Sequence, residues 1–351
     1  MTITKNLTSW YSNSKRDLPW RKTKDPYRVW LSEIILQQTQ IKQGLPYYER
    51  FILRFPNVYD LANASEEEVL KLWQGLGYYS RARNLHATAK YVAYELNGQF
   101  PETYHGLLKL KGIGDYTASA IASICFGEPS AVLDGNVYRF LSRYFGIDTP
   151  INTSQGFKVF KALAQDILDE RDPEIHNQAI MEFGALHCTP TNPSCDTCPF
   201  QNTCMAFAEG KTSELPVKLK GKKPEKKYFN FLVFLSENET ILEKRKGKGI
   251  WKYLYQFPLV ETSKSLKVQE VQVLVDQSEL LSNTVSEIYL YNEDDIVHKL
   301  SHRHLYTKFW IVLTDKLPVE GVNWDLVKKY AVPILIGNFL DTFNFQEVLK
   351  E

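Results

Sequence analysis

Four of the chain's five cysteines stand within seventeen residues, Cys188, Cys195, Cys198 and Cys204, spaced C-x6-C-x2-C-x5-C. Thiolates this close along a chain converge on one small object, zinc or an iron–sulfur cluster. Pro190, Pro193 and Pro199 break helix between them and let the chain wrap around it. Zinc usually takes two close pairs, and only Cys195 and Cys198 form one, so spacing leaves the metal open. The same usage excludes a disulfide scaffold and suits a reducing cytosol. Cys125, in an apolar stretch of helical spacing, reads as core.

A chain of 351 residues is long enough for two domains, and its texture changes once. From about 28 to 210, apolar residues recur at helical spacing, as in Val29, Trp30, Ile34 and Ile41. Asn63-Ala64-Ser65 followed by Glu66-Glu67-Glu68 reads as an N-cap with acids in the first turn. Beyond about 230 the runs Tyr228–Leu235 and Leu305–Leu313 are aromatic and β-branched, as strands are. A last helix is expected over Trp324–Phe343, interrupted at Pro333. Between the halves, the Lys-, Gly- and Pro-rich stretch from Gly210 to Lys227 reads as a linker. With 44% hydrophobic residues, disorder as the main state is excluded. No apolar run approaches the ~18 residues of a membrane span, and Met1–Arg21 has no secretory pattern.

Net charge is +1 but unevenly spread: +6 over residues 1–54, −7 over 55–209, +5 over 210–230 and −3 over 231–351. Two basic stretches on a near-neutral chain could track phosphates or simply be solvated lysine faces.

Leu110-Lys111-Gly112-Ile113-Gly114-Asp115 lies between expected helices at 103–110 and 116–126. Alternate glycines permit a tight hairpin whose N–H groups meet an anion at the next helix's N-terminus, a grip on a DNA phosphate. Alone, the same glycines equally suit a plain helix–helix turn. Two carboxylates suit glycosidic chemistry. Glu33 lies on an otherwise apolar helix: turned inward it would have a raised pKa that fits it to donate a proton, turned outward it would be an ordinary exposed acid. Asp134 opens the next helix, a place that also suits a plain N-cap.

Together these features resemble the MutY-type adenine DNA glycosylases of the endonuclease III, helix-hairpin-helix superfamily, which remove adenine mispaired with 8-oxoguanine. The matching pieces are Leu18–Arg21, Glu33–Gln40, Leu72–Leu85, the hairpin, Leu133–Asn136, Asn177–Ala179 and the cysteines, joined by Gly249–Pro258 and Leu300–His302. The resemblance implies a multidomain chain. An all-α helix-hairpin-helix glycosylase region with a [4Fe–4S] loop would span 1–210. Its six-helix portion is about 22–130; its cluster portion joins the N-terminal segment to about 131–210. A basic linker at 211–229 would lead to an α+β MutT-like (Nudix-fold) domain at 230–351.

The resemblance also assigns roles. Glu33 matches the acid that protonates adenine at N7, and Asp134 the carboxylate facing the oxocarbenium-like sugar. Asn136 and Glu33 would position the water. Tyr116 stands where lyase-competent relatives place a lysine; a phenol forms no Schiff base, so a monofunctional enzyme is expected. Trp20, Arg21 and Gln178 resemble adenine-pocket residues, and Gln38 and Tyr78 side chains wedged into the base stack. Gly112 and Gly114 form the hairpin, and Ser301 and His302 match contacts to 8-oxoguanine. Cys188, Cys195, Cys198 and Cys204 would ligate the cluster. The expected partner is duplex DNA with adenine opposite 8-oxoguanine or guanine, bound by a monomer in a bacterial cytoplasm. Leu300 departs from the family's usual Phe, and Lys252 and Tyr253 from its small glycines. No Glu-rich pyrophosphohydrolase motif follows Pro258, so no nucleotide hydrolysis is expected. Two alternatives are less well supported: Tyr116 and the second domain oppose an endonuclease III-like glycosylase/lyase, and Glu33 with Asp134 opposes a non-catalytic DNA binder that keeps the cluster.

Overall fold

The computed structural model describes residues 3–247, 249–276 and 285–345; positions 346–351 of the expected second domain lie outside the described residues. The chain divides into two compact units, Met1–Ala64 with Ser80–Lys220, and Ser65–Tyr79 with Gly221–Glu351.

The first unit is helical. It holds α1 (Ile3–Ser14), α2 (Pro26–Leu36), α3 (Ile41–Arg54) and α4 (Val58–Asn63). After α5 (Glu66–Leu72), which belongs to the second unit, come α6 (Ser80–Glu95), α7 (Tyr104–Leu107), α8 (Asp115–Phe126) and α9 (Gly135–Phe145). The unit continues with α10 (Ser154–Asp166), α11 (Pro173–Leu186) and α12 (Met205–Ala208). Every residue of α8 from Thr117 to Ile124 is buried, and α2, α7 and α11 pack against it. Small side chains at Ala118, Ser119, Ala120 and Ala122 make that central place accessible to a helix. Its hydroxyls are paired: Ser123 Oγ donates to the Ser119 carbonyl (2.7 Å) and accepts from Asn177 Nδ2 (2.9 Å). Left unpaired, each would cost about 1–3 kcal/mol.

The helix expected at 103–110 stops at Leu107, because the chain tightens into i→i−3 turns. Lys109 N–H donates to the Gly106 carbonyl (3.2 Å) and Leu110 N–H to that of Leu107 (3.0 Å). Gly112 then takes φ +81°, where a Cβ would also come within 2.8 Å of the Asn84 Cβ. Gly114 is the N-cap of α8. The basic strip is not a free linker along its whole length. Val217 accepts from Ile151 N–H (3.0 Å), and Leu219 exchanges two hydrogen bonds with the Asn152 side chain, each 2.9 Å.

The second unit is built on a sheet. Its strands are β1 (Glu225–Leu235), β2 (Glu239–Thr240), β3 (Glu243–Lys244), β4 (Tyr255–Gln256) and β5 (Leu259–Thr262). Helix α13 (Val268–Asp276) precedes β6 (Val285–Leu290), β7 (Ile296–Lys299), β8 (Arg303–Thr314) and β9 (Val322–Asn323). Short α14 (Trp324–Val327) and α15 (Ile334–Thr342) follow, split as Pro333 predicts. The main sheet runs β5-β1-β8-β6, with β1 and β8 parallel and β7 paired to the start of β8. Leu232, Phe234, Trp310 and Val312 turn to one face with Val271 and Val275 of α13. On the other face Phe309 stacks on Phe339 of α15 at 4.2 Å. Covered on both sides, β1 reads from Phe231 to Leu235 as an unbroken apolar run rather than an alternation.

The region expected at 1–210 is therefore interrupted. Ser65 caps α5 as predicted, accepting from Glu68 N–H (3.1 Å). Residues 65–79 nevertheless pack with the C-terminal half. Lys71 Nζ donates to the carbonyls of Lys328 (2.6 Å) and Tyr330 (3.0 Å), and Glu67 receives Lys244 Nζ at 2.7 Å. At Tyr253, one of the departures from the family, φ is +69°, a left-handed conformation that glycine adopts without strain.

Candidate active site

Helix α2 begins with Asp25 as N-cap, accepting from Tyr27 N–H (2.9 Å), and carries Glu33 near its end. Glu33 is 9% exposed. Burial pushes its carboxyl up to about 7, aided by the nearby Asp134 and opposed by a hydrogen bond from Tyr116 and by Arg21. Tyr116, on the first turn of α8, is itself held well above the ordinary phenol range by burial, so it stays neutral.

Asp134 is an N-cap and more than one. Its Oδ1 accepts from the N–H groups of Asn136 (2.9 Å) and Val137 (2.8 Å), while Oδ2 takes Asn136 Nδ2 (2.8 Å). Burial raises its carboxyl; these three donors favour the charged form. Asn136 is fixed in turn by Arg139 Nη2 (2.9 Å), whose guanidinium also reaches the carbonyls of Gly184 (2.6 Å) and Cys188 (2.7 Å). Gly184 lets α11 approach this closely: a Cβ there would lie 2.7 Å from the Asn136 carbonyl oxygen.

One cleft of about 680 Å³ is lined by Trp20, Arg21, Glu33, Gln38, Gly114, Tyr116, Asp134, Asn136 and Gln178. The structure thus brings nine of the sequence-selected residues into one place. Gly112 stays at the hairpin apex. Tyr78, Ser301 and His302 belong to the second unit, where Ser301 and His302 form the turn between β7 and β8. There the Tyr78 hydroxyl stands 3.1 Å from Ser301 Oγ. Tyr78 takes φ +48°, and Gln38 takes φ +56° just past α2.

The four clustered cysteines face a separate small cavity, bordered by Phe140, Arg143 and Phe200. Among the described residues, no three His, Cys, Asp or Glu side chains stand where one metal ion could bind them together. The donor set fits a multi-iron cluster: it is all sulfur and disposed around a common space. N–H groups are already aimed at it, from Arg143 Nη1 to Cys188 Sγ and from the Phe200 amide to Cys198 Sγ, both 3.4 Å. Burial pushes the Cys198 thiol up to about 11, so metal binding must displace its proton.

The sequence profile described as "HhH-GPD superfamily base excision DNA repair protein" matches residues 31–164, and that of the NUDIX domain residues 230–342. Over 328 residues the chain is 39% identical to the adenine DNA glycosylase of Buchnera aphidicola subsp. Baizongia pistaciae (strain Bp), covering 90% of this chain and 88% of that protein. The chain belongs to the adenine DNA glycosylase family. The human adenine DNA glycosylase is 33% identical over 378 residues, 91% of this chain and 69% of that one. Among solved structures, a thermostable thymine-DNA glycosylase superposes with a TM-score of 0.55 at 27% identity, over 59% of this chain and 95% of that one. A non-covalent endonuclease III–DNA complex shares the fold, with a TM-score of 0.51 at 21% identity, over 59% and 94%.

Sequence reasoning missed Glu182, which in this adenine DNA glycosylase family member is the charged centre of the cleft wall. Its carboxylate is buried and receives both Arg21 Nη1 and Nη2 at 2.8 Å, the Arg16 amide at 2.9 Å and the Arg16 guanidinium. Burial alone would raise its pKa; the Arg21 and Arg16 hydrogen bonds instead hold it at about 2. Tyr11, also missed, donates to Gln178 Oε1 (2.8 Å). The available signal was the i,i+4 spacing of Gln178 and Glu182 on one helix face.

Proposed function

We propose that this chain hydrolyses the N-glycosidic bond of adenine mispaired with 8-oxoguanine, or with guanine, in duplex DNA, as a monomeric and monofunctional enzyme. The observation that carries this reading is Glu33: buried, pushed up to about 7 and sharing its cleft with Tyr116 and Asp134. The bond is out of reach inside a duplex, so the adenine is flipped into the cleft. Glu33 passes its proton to N7, and the C1′–N9 bonding pair leaves with the base. Asp134, its charge held by three donors, opposes the positive charge that develops on the sugar. Glu33, now a carboxylate, and Asn136 orient a water; its oxygen bonds to C1′ and its proton returns to Glu33.

Arg21, with Trp20 and Gln178, lines the base pocket, and Gln38 and Tyr78 enter the stack where the base left it. Among the described residues lining the cleft none is lysine, which supports hydrolysis without a Schiff base. The hairpin of Gly112 and Gly114 takes a phosphate, and Ser301 and His302 read the opposite base. Cys188, Cys195, Cys198 and Cys204 hold a [4Fe–4S] cluster, which when bound cross-links the loop that carries them. Iron and acid-labile sulfide in the purified protein are expected; zinc at full occupancy with neither would contradict this.

The test is a duplex carrying adenine opposite 8-oxoguanine, incubated with the protein and then heated in alkali. Strand breakage only after alkali is expected. Breakage without alkali would establish a lyase, and none at all a binding protein.

A further inference from the structure

A helix that ends without a glycine leaves its last carbonyls in need of donors. Helix α2, which carries Glu33, ends at Leu36 with Gln37 as C-cap and Gln38 in the left-handed region. One buried guanidinium meets that end. Arg81 Nη1 donates to the carbonyls of Ile34 (2.9 Å), Ile35 (2.9 Å) and Gln37 (2.6 Å), and Nη2 lies 3.4 Å from Thr39 Oγ1. Its charge faces the negative end of the helix dipole.

We infer that Arg81 is a positioning residue for the excision reaction, holding the last turn of α2 and the Gln37–Thr39 turn so that Glu33 and Gln38 keep their places in the cleft. The inference rests on the reading of Glu33 as the proton donor. It follows from where the hydrogen bonds go: the first held carbonyl belongs to the residue directly after Glu33, and the last to the residue directly before Gln38. Arg81 works through geometry rather than through the acidity of Glu33, whose shift comes from burial, Tyr116, Asp134 and Arg21. A lysine does not replace it: its side chain is one bond shorter, so its nitrogen falls short of the place of Arg81 Nη1 between the three carbonyls, and it has no second nitrogen to face Thr39.

The experiment measures single-turnover excision of adenine opposite 8-oxoguanine by full-length Arg81→Ala, Arg81→Lys and Glu33→Gln proteins, with duplex affinity and thermal unfolding alongside. Arg81→Ala is expected to lose on the order of tenfold to a hundredfold in rate, as small displacements of a reacting group do. It should still bind duplex and be folded at the assay temperature. Millimolar guanidinium should restore much of the rate, while potassium at the same ionic strength should not. Arg81→Lys should be slow despite its charge, and it decides the matter if Arg81→Ala does not fold. Either variant at close to the wild-type rate, or an Arg81→Ala defect that ignores guanidinium, overturns the inference. An inactive Glu33→Gln beside a fully active Arg81→Ala condemns the role of Arg81 alone. An active Glu33→Gln overturns the proton-donor reading itself, and this inference with it.

Discussion

Glu33 and Tyr78 mark two ways of using polar groups in one chain. Glu33 is 9% exposed, and its acidity is set by what surrounds it. Tyr78 is 49% exposed, and the Ser301 hydroxyl 3.1 Å away lies in an exposed turn beside His302. Bond breaking needs a carboxyl that water does not level, and burial supplies it. The proposed recognition of the opposite base needs donors and acceptors that can exchange water for that base, and exposure allows it. Changes in the first unit should therefore act on rate, and changes in the second on choice between mispairs.

The largest effect is expected from Glu33→Gln, which should lower single-turnover excision by roughly 10²–10⁴-fold while duplex affinity stays near wild type. A comparable loss from Ser301→Ala would break the division between chemistry and reading. Next comes Glu182→Ala, which removes the buried carboxylate between Arg16 and Arg21. Thermal or denaturant unfolding should show a loss of about 3–5 kcal/mol, the usual result of leaving buried charge unpaired. The Glu182 carboxyl is held at about 2, below its unfolded value, so its stabilising contribution is full above the unfolded pKa. It fades as pH falls through about 2, and Glu182→Gln should show a weaker acid dependence of unfolding over that range. The smallest effect is expected from Ser301→Ala with His302→Ala. Excision opposite 8-oxoguanine should lose roughly 1–3 kcal/mol in all relative to excision opposite guanine. An unchanged ratio of the two rates would remove these residues from lesion recognition.

Two carboxylates of the cleft were legible where they stand, while Trp20, Arg21, Gln38, Tyr116, Asn136 and Gln178 were reached only through the family resemblance. A lone acid in the apolar run Trp30–Leu36 and an aspartate ahead of Gly135-Asn136 each imply a reason to be there. Glu182 was harder to read: its spacing from Gln178 placed both on one helix face, but its two arginines lie more than 160 residues earlier. Arg81 was hidden in the same way: its acceptors are backbone carbonyls, which leave no trace in side-chain pattern. The order of helices first and strands after followed from periodicity and the fold class from the family resemblance, yet the membership of residues 65–79 in the second unit followed from neither. Helix α5 has an ordinary N-cap and an ordinary apolar face, with Val69 and Leu70 fully buried, and only tertiary contact decides which core receives them.

The central claim is that a buried, neutral Glu33 gives the proton that releases adenine. The direct measurement is the pH dependence of single-turnover excision from a duplex with adenine opposite 8-oxoguanine, at saturating enzyme. Because burial raises the carboxyl to about 7, its proton is present below that pH and lost above it. The rate should hold on the acid side until Asp134 itself takes up a proton, and fall as pH rises through about 7. A rate that instead climbs steadily through that range, or a Glu33→Gln enzyme with the same profile and rate as wild type, would contradict the account.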